Sequence, residues 1–81
     1  DIVALDGACL VICEVKARRS LAFGEPVEAV TRAKAARLRR LAAVYALTDG
    51  TGAAHVRVDV LGILFRANHP PLVRHVRGVG S

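Results

Sequence analysis

The feature that most constrains this chain is an uninterrupted apolar run, Ala8-Cys9-Leu10-Val11-Ile12-Cys13, that stops at Glu14-Val15-Lys16. Six residues are far too few for a membrane-spanning helix, which needs about 20. A strand apolar on both faces belongs in the middle of a sheet, covered above and below. Upstream, Ile2-Val3-Ala4-Leu5 and the Asp6-Gly7 pair predict a β-hairpin, because Asp-Gly supplies the positive φ angles of a tight turn between β-formers. The hairpin strands are expected at Ile2–Leu5 and Ala8–Val15.

Residues 17–30, with Gly24, Pro26 and two glutamates, read as a loop. Thr31 is a plausible N-cap for an Ala/Leu/Arg-rich helix reaching Thr48 and stopped by Asp49-Gly50-Thr51-Gly52. From His55 the pattern alternates. Val56, Val58 and Val60 share one face and His55, Arg57 and Asp59 the other, in a strand running to Phe65. Asn68-His69-Pro70-Pro71 turns the chain into a last strand over Leu72–Arg77, antiparallel to the one before. The expected fold class is α/β, with a mixed sheet in the order β-β-α-β-β. A right-handed crossover sets the helix on one sheet face and leaves the other for a partner or an upstream segment.

At 81 residues the chain holds one domain, and with 53% hydrophobic but only 4% aromatic residues its core must come from Val, Leu, Ile and Ala. It begins at Asp1 rather than Met, so the expectation is a single domain over residues 1–81 that is truncated at its N-terminus. Twelve Lys and Arg against seven Asp and Glu give a net charge of +5, which favours a polyanionic partner. Eight of the twelve basic residues lie between Lys16 and Arg40. That concentration reads either as a binding face or as a solvated helix face. Cys9 and Cys13 are about 13 Å apart on one strand, too far for a disulfide, and read as buried, reduced thiols of a cytoplasmic protein. The three histidines share no ligand spacing, and neither serine has a nearby base.

By the two-residue period, Glu14 and Lys16 share a face with Leu10 and Ile12, so two charges extend a buried row. A two-residue Asp6-Gly7 turn sets Asp1 opposite Ile12 and diagonal to Glu14; a four-residue turn sets Asp1 directly opposite Glu14. Two carboxylates and an ammonium at a strand end offer hard oxygen ligands for Mg²⁺ or Mn²⁺ and a cation to orient an attacking water. A structural ion pair at the sheet edge is the alternative reading. At 100° per residue Lys34, Leu38, Leu41 and Tyr45 form one helical stripe, placing a lysine at the N-terminal end of the face expected to pack on the sheet. Arg32 and Lys34 also put positive charge in the first turn, against the helix macrodipole, a cost an anion would offset. Arg37, Arg39 and Arg40 read as phosphate contacts or ordinary solvation.

An aspartate on a first strand, a hairpin, then Glu-x-Lys on the next strand and a following helix resemble the PD-(D/E)xK nuclease superfamily, with its restriction-endonuclease-like fold. Asp1-Ile2-Val3-Ala4, Leu10 to Lys16, Phe23-Gly24-x-Pro-x-Glu28-Ala29-Val30-Thr31, Lys34 and Val58-Asp59-Val60 more closely resemble the YraN-like family of small uncharacterised bacterial proteins. The resemblance implies that Asp1 and Glu14 are metal ligands for Mg²⁺ or Mn²⁺ and Lys16 the catalytic lysine, with Lys34 a weaker candidate. It also implies an upstream helix and a strand segment absent from this sequence. Two function classes follow. One is a divalent-metal-dependent DNA endonuclease, with branched DNA as one candidate substrate. The other is a non-catalytic nucleic-acid-binding or adaptor module. DNA contact is expected through Lys16, Arg18, Arg19, Arg32, Lys34, Arg37 and Arg40. A membrane is not an expected partner, and a homodimer is left open.

Overall fold

The computed structural model describes residues 2–22, 24–48 and 52–79. Asp1, Phe23 and Asp49-Gly50-Thr51 lie outside the described residues, and so do the expectations that rest on them. The elements are β1 (Ile2–Asp6), β2 (Cys9–Arg18), a short 3₁₀ helix (Pro26–Ala29), α1 (Arg32–Thr48), β3 (His55–Arg66) and β4 (His69–Val76). The four strands form one mixed sheet in the order β1-β2-β3-β4, with β2 and β3 parallel and both outer pairs antiparallel. The β-β-α-β-β order expected from the sequence is therefore the observed one.

The β1–β2 loop is Gly7-Ala8 rather than Asp6-Gly7, because Asp6 pairs with Cys9 and Ile2 with Cys13. That is the register of the four-residue-turn alternative. Gly7 carries φ +59°, the conformation a two-residue hairpin loop requires at its first position. The second hairpin turns at Ala67-Asn68, where Asn68 takes φ +58°, so β4 starts at His69 and includes both prolines. Leu64 pairs with Leu72 but Arg66 with His69, so Pro70 and Pro71 together face a single β3 residue. An edge strand tolerates prolines at such a bulge because their missing N–H would face solvent. The Arg66 guanidinium donates to the Pro70 carbonyl at 2.7 and 3.2 Å, which fixes the irregularity.

The expected loop over 17–30 is partly structured. β2 continues to Arg18, and Glu25-Pro26-Val27-Glu28 opens the 3₁₀ helix with a capping box in which Glu28 Oε2 accepts from the Glu25 N–H. This short helix sits on β3 at Gly62, where a Cβ would come within 2.8 Å of Val27 Cγ1.

Helix α1 begins at the expected cap: Thr31 Oγ1 accepts from the Lys34 N–H at 3.1 Å. Its packing face differs from the expected one. Ala35, Leu38 and Ala42 are buried, whereas Leu41 and Tyr45 are about half exposed, at 55% and 45%. Two alanines let the helix approach β2 and β3 closely. The contact stripe is centred on Ala35 and Ala42, and the longer residues one step around the helix are left outside it. Leu38 and Ala42 pack with Ile12 and Val58 in the main cluster, flanked by Val56 and Val79. All these strand residues have even numbers, so one sheet face carries α1 and the 3₁₀ helix, and Glu14 and Lys16 belong to that covered face.

Candidate functional site

β2 is the strand that carries the site. It lies between β1 and β3, its apolar residues Leu10, Val11 and Ile12 are buried, and on the helix-covered face the burial extends from Ile12 to Glu14, which is only 4% exposed. A carboxylate at that depth must be paired or pay a large desolvation cost. Two ammonium groups meet it. Lys34 Nζ, reaching down from the first turn of α1, donates to Glu14 Oε1 at 2.7 Å. Lys16 Nζ, two residues along β2, lies 3.3 Å from the same oxygen. The other oxygen, Oε2, is enclosed and has no hydrogen-bond partner among the described residues. The Lys34 hydrogen bond, followed by that of Lys16, outweighs burial and holds the Glu14 carboxyl below the usual carboxylate range. Reciprocally, Glu14 raises Lys34. The centre is one carboxylate with two lysine side chains on a single oxygen.

The structure thus brings together Glu14, Lys16 and Lys34. Asp1 lies outside the described residues, and among those described no three His, Cys, Asp or Glu side chains gather as a metal set. Glu14 Oε2 nevertheless suits a hard cation. It is an anionic oxygen with no donor among the described residues, and Mg²⁺ is commonly held by one or two carboxylates with water and substrate phosphate completing its shell.

The expected nucleic-acid contacts fall into two groups. Arg18 continues the Glu14-Lys16 row along the same face of β2, is half buried, and keeps an enclosed Nε with no partner among the described residues. Arg19, Arg32, Arg37 and Arg40 are exposed, and among the described residues none of them enters an ion pair. α1 has no acidic residue in its first turn, so Arg32 and Lys34 stand uncompensated locally, and the compensation for Lys34 comes from β2.

Sequence reasoning missed a second polar centre on the opposite sheet face. Asp59, expected on a polar face of its strand, is 1% exposed. Its Oδ1 accepts from Arg57 Nε at 3.0 Å and the Gly78 N–H at 3.1 Å, and its Oδ2 from Arg57 Nη2 at 3.2 Å. His75 Nε2 lies 2.8 Å from Oδ2. Arg57 also reaches Asp6 at 2.9 Å, so this cluster ties the first hairpin, β3, β4 and the segment after β4 together. Burial raises the Asp59 carboxyl, but the hydrogen bonds from Arg57, His75 and Gly78 together hold it below its ordinary value. The detectable signal was Arg57 and Asp59 two apart on one strand face. Cys13, its neighbour across β2–β3, is half buried rather than buried, and burial with the nearby Asp59 carboxylate pushes its thiol up. Both cysteines are free, as expected. Among the described residues no helix is long and apolar enough to cross a membrane.

Known proteins match this sequence closely. A protein from Renibacterium salmoninarum is 48% identical over 80 residues, covering 99% of this chain and 68% of its own length. One from Beutenbergia cavernae is 54% identical with the same coverage, and one from Streptomyces coelicolor is 51% identical, covering 98% of this chain and 62% of its own. The chain therefore spans about two thirds of the length of these relatives, each of which carries the name UPF0102 protein. No solved structure matches the fold significantly. The model of the uncharacterised protein family UPF0102 matches residues 1–63, and with relatives of this similarity the chain belongs to that bacterial family.

Proposed function

We propose that the protein is a divalent-metal-dependent DNA endonuclease of the PD-(D/E)xK type, with a restriction-endonuclease-like sheet and Glu14, Lys16 and Asp1 at its centre. The observation that carries the reading is the Glu14 carboxylate. It is buried in the middle of β2, directly after the doubly apolar run, it is held on one oxygen by two lysines, and its second oxygen has no partner among the described residues. A purely structural ion pair would be expected to use both oxygens, since an unsatisfied buried acceptor costs about 1–3 kcal/mol. In this reading Glu14 Oε2 and Asp1 hold Mg²⁺ or Mn²⁺, which supplies Lewis acidity at the scissile phosphate. Lys16 orients the attacking water and faces the phosphate charge. Arg18, Arg19, Arg32, Arg37 and Arg40 hold the DNA backbone. The proposal sets the protein in the cytoplasm, where thiols stay reduced.

The second reading, a nucleic-acid-binding or adaptor module without turnover, is favoured by one observation: a single carboxylate, rather than a cluster, marks the centre among the described residues. One assay separates them. Linear, forked and four-way DNA are incubated with the intact protein, with and without Mg²⁺ or Mn²⁺. Metal-dependent cleavage that Glu14→Gln abolishes supports the nuclease. Binding without cleavage under every metal condition supports the module.

A further inference from the structure

We infer that Lys34 is the positioning residue of the Glu14 centre: from the first turn of α1 it fixes the carboxylate through Oε1, and so leaves Oε2 and the Lys16 ammonium to meet a cation and a phosphate. The inference rests on the nuclease reading and assigns its two lysines different work. A Glu-x-Lys pattern by itself pairs Glu14 with Lys16, its neighbour on the strand, but the geometry favours Lys34, at 2.7 Å against 3.3 Å. Both contacts fall on one oxygen. One carboxylate neutralises one ammonium, and the shorter, hydrogen-bonded contact takes that role. The remaining positive charge is then that of Lys16.

The base of the Lys34 side chain is itself anchored. Its N–H is held by the Thr31 cap, the next N–H bonds the Thr31 carbonyl at 2.9 Å, and Ala35 beside it is buried against the sheet. A lysine in a helix's first turn opposes the macrodipole, and no acidic residue of that turn offsets it. Such a local conflict is expected where the side chain serves a partner elsewhere in the fold. Here the partner is Glu14, twenty residues earlier. Groups that orient a metal-ligating carboxylate without touching the metal set its placement, and their loss commonly lowers affinity or activity by about 10–100-fold.

The test compares wild type, Lys34→Met, Lys34→Arg and Lys16→Met in the intact protein, each melted thermally to confirm folding, in Mg²⁺-dependent DNA cleavage and, without DNA, in Mn²⁺ binding by calorimetry. Lys34→Met is expected to weaken Mn²⁺ affinity about tenfold or more, and unchanged affinity counts against the inference. Lys34→Met is expected to lower kcat at least about tenfold while KM for DNA stays within about twofold, because placement is lost but no phosphate contact is. Lys34→Arg, which restores a charged donor, should recover most of kcat. Lys16→Met should raise KM as well as lower kcat. If Lys34→Met does not fold, Lys34→Gln, which keeps a donor without the charge, is judged by the same criteria. The inference is overturned if the Lys34 variant raises KM as Lys16→Met does, or if its kcat equals that of wild type. Cleavage missing from the wild type with every metal removes the nuclease reading and this inference with it, an outcome distinct from an active wild type whose Lys34 variants behave normally.

Discussion

Replacing Asp59 by Asn is the sharpest probe of what holds the sheet together away from the Glu14 centre. The two side chains have nearly the same shape, so packing is unchanged and only charge and hydrogen bonding alter. Each carboxylate oxygen lies against two nitrogens: Oδ1 against Arg57 Nε and the Gly78 N–H, Oδ2 against Arg57 Nη2 and His75 Nε2. Whichever way the amide turns, its NH₂ meets an arginine donor, and the best arrangement directs it to the His75 side, where a neutral imidazole can accept. Hydrogen bonds to a charged group contribute about 1.5–3 kcal/mol each, but Arg57 and His75 are partly exposed and recover water. The net loss should be about 2–3 kcal/mol, against a total stability of roughly 4–12 kcal/mol for a chain of this size. Urea unfolding at pH 7 measures it. Because the folded-state carboxyl is held below its ordinary value, its contribution is fully present above about pH 4 and is lost as the pH falls through the folded pKa. The gap between wild type and Asp59→Asn should therefore narrow in acid. A gap under about 0.5 kcal/mol at pH 7, or one that widens as the pH falls, would refute the account.

Leu38→Ala should cost about 2–5 kcal/mol, whereas Leu41→Ala, one step around α1, should change stability by less than about 1 kcal/mol; denaturant melts of the pair test the packing face. Glu14→Gln should end metal-dependent cleavage in a protein that still melts cooperatively and still binds DNA, read on one sample by thermal melting, cleavage and gel shift. Loss of folding with no metal-specific effect would instead mark a structural ion pair. DNA affinity, carried by Lys16 and the exposed arginines, should fall steeply with salt and vary little with sequence, as fluorescence anisotropy across a salt series would show.

The element order, the central strand and the helix cap were legible in the sequence because each is written in local chemistry: a two-sided apolar run, an alternating run, and a threonine before good helix formers. The row Glu14-Lys16 was legible too, since a two-residue period assigns faces without any knowledge of neighbours. The hairpin register was not. Asp6-Gly7 and Gly7-Ala8 are both acceptable loops locally, and the choice depends on pairing along the whole of β1. The helix face escaped for a similar reason. A periodicity count weights Leu41 and Tyr45 above alanine, but close approach of α1 to β2 and β3 selects Ala35 and Ala42. The partner of Glu14 and the burial of Asp59 were decided by tertiary structure alone. Lys34 is twenty residues from Glu14, and Arg57 and His75 reach Asp59 from β3 and β4. The sequence determines which charges a strand carries, whereas only the packing of separate elements determines which of them lose water and which oppositely charged group is near enough to compensate.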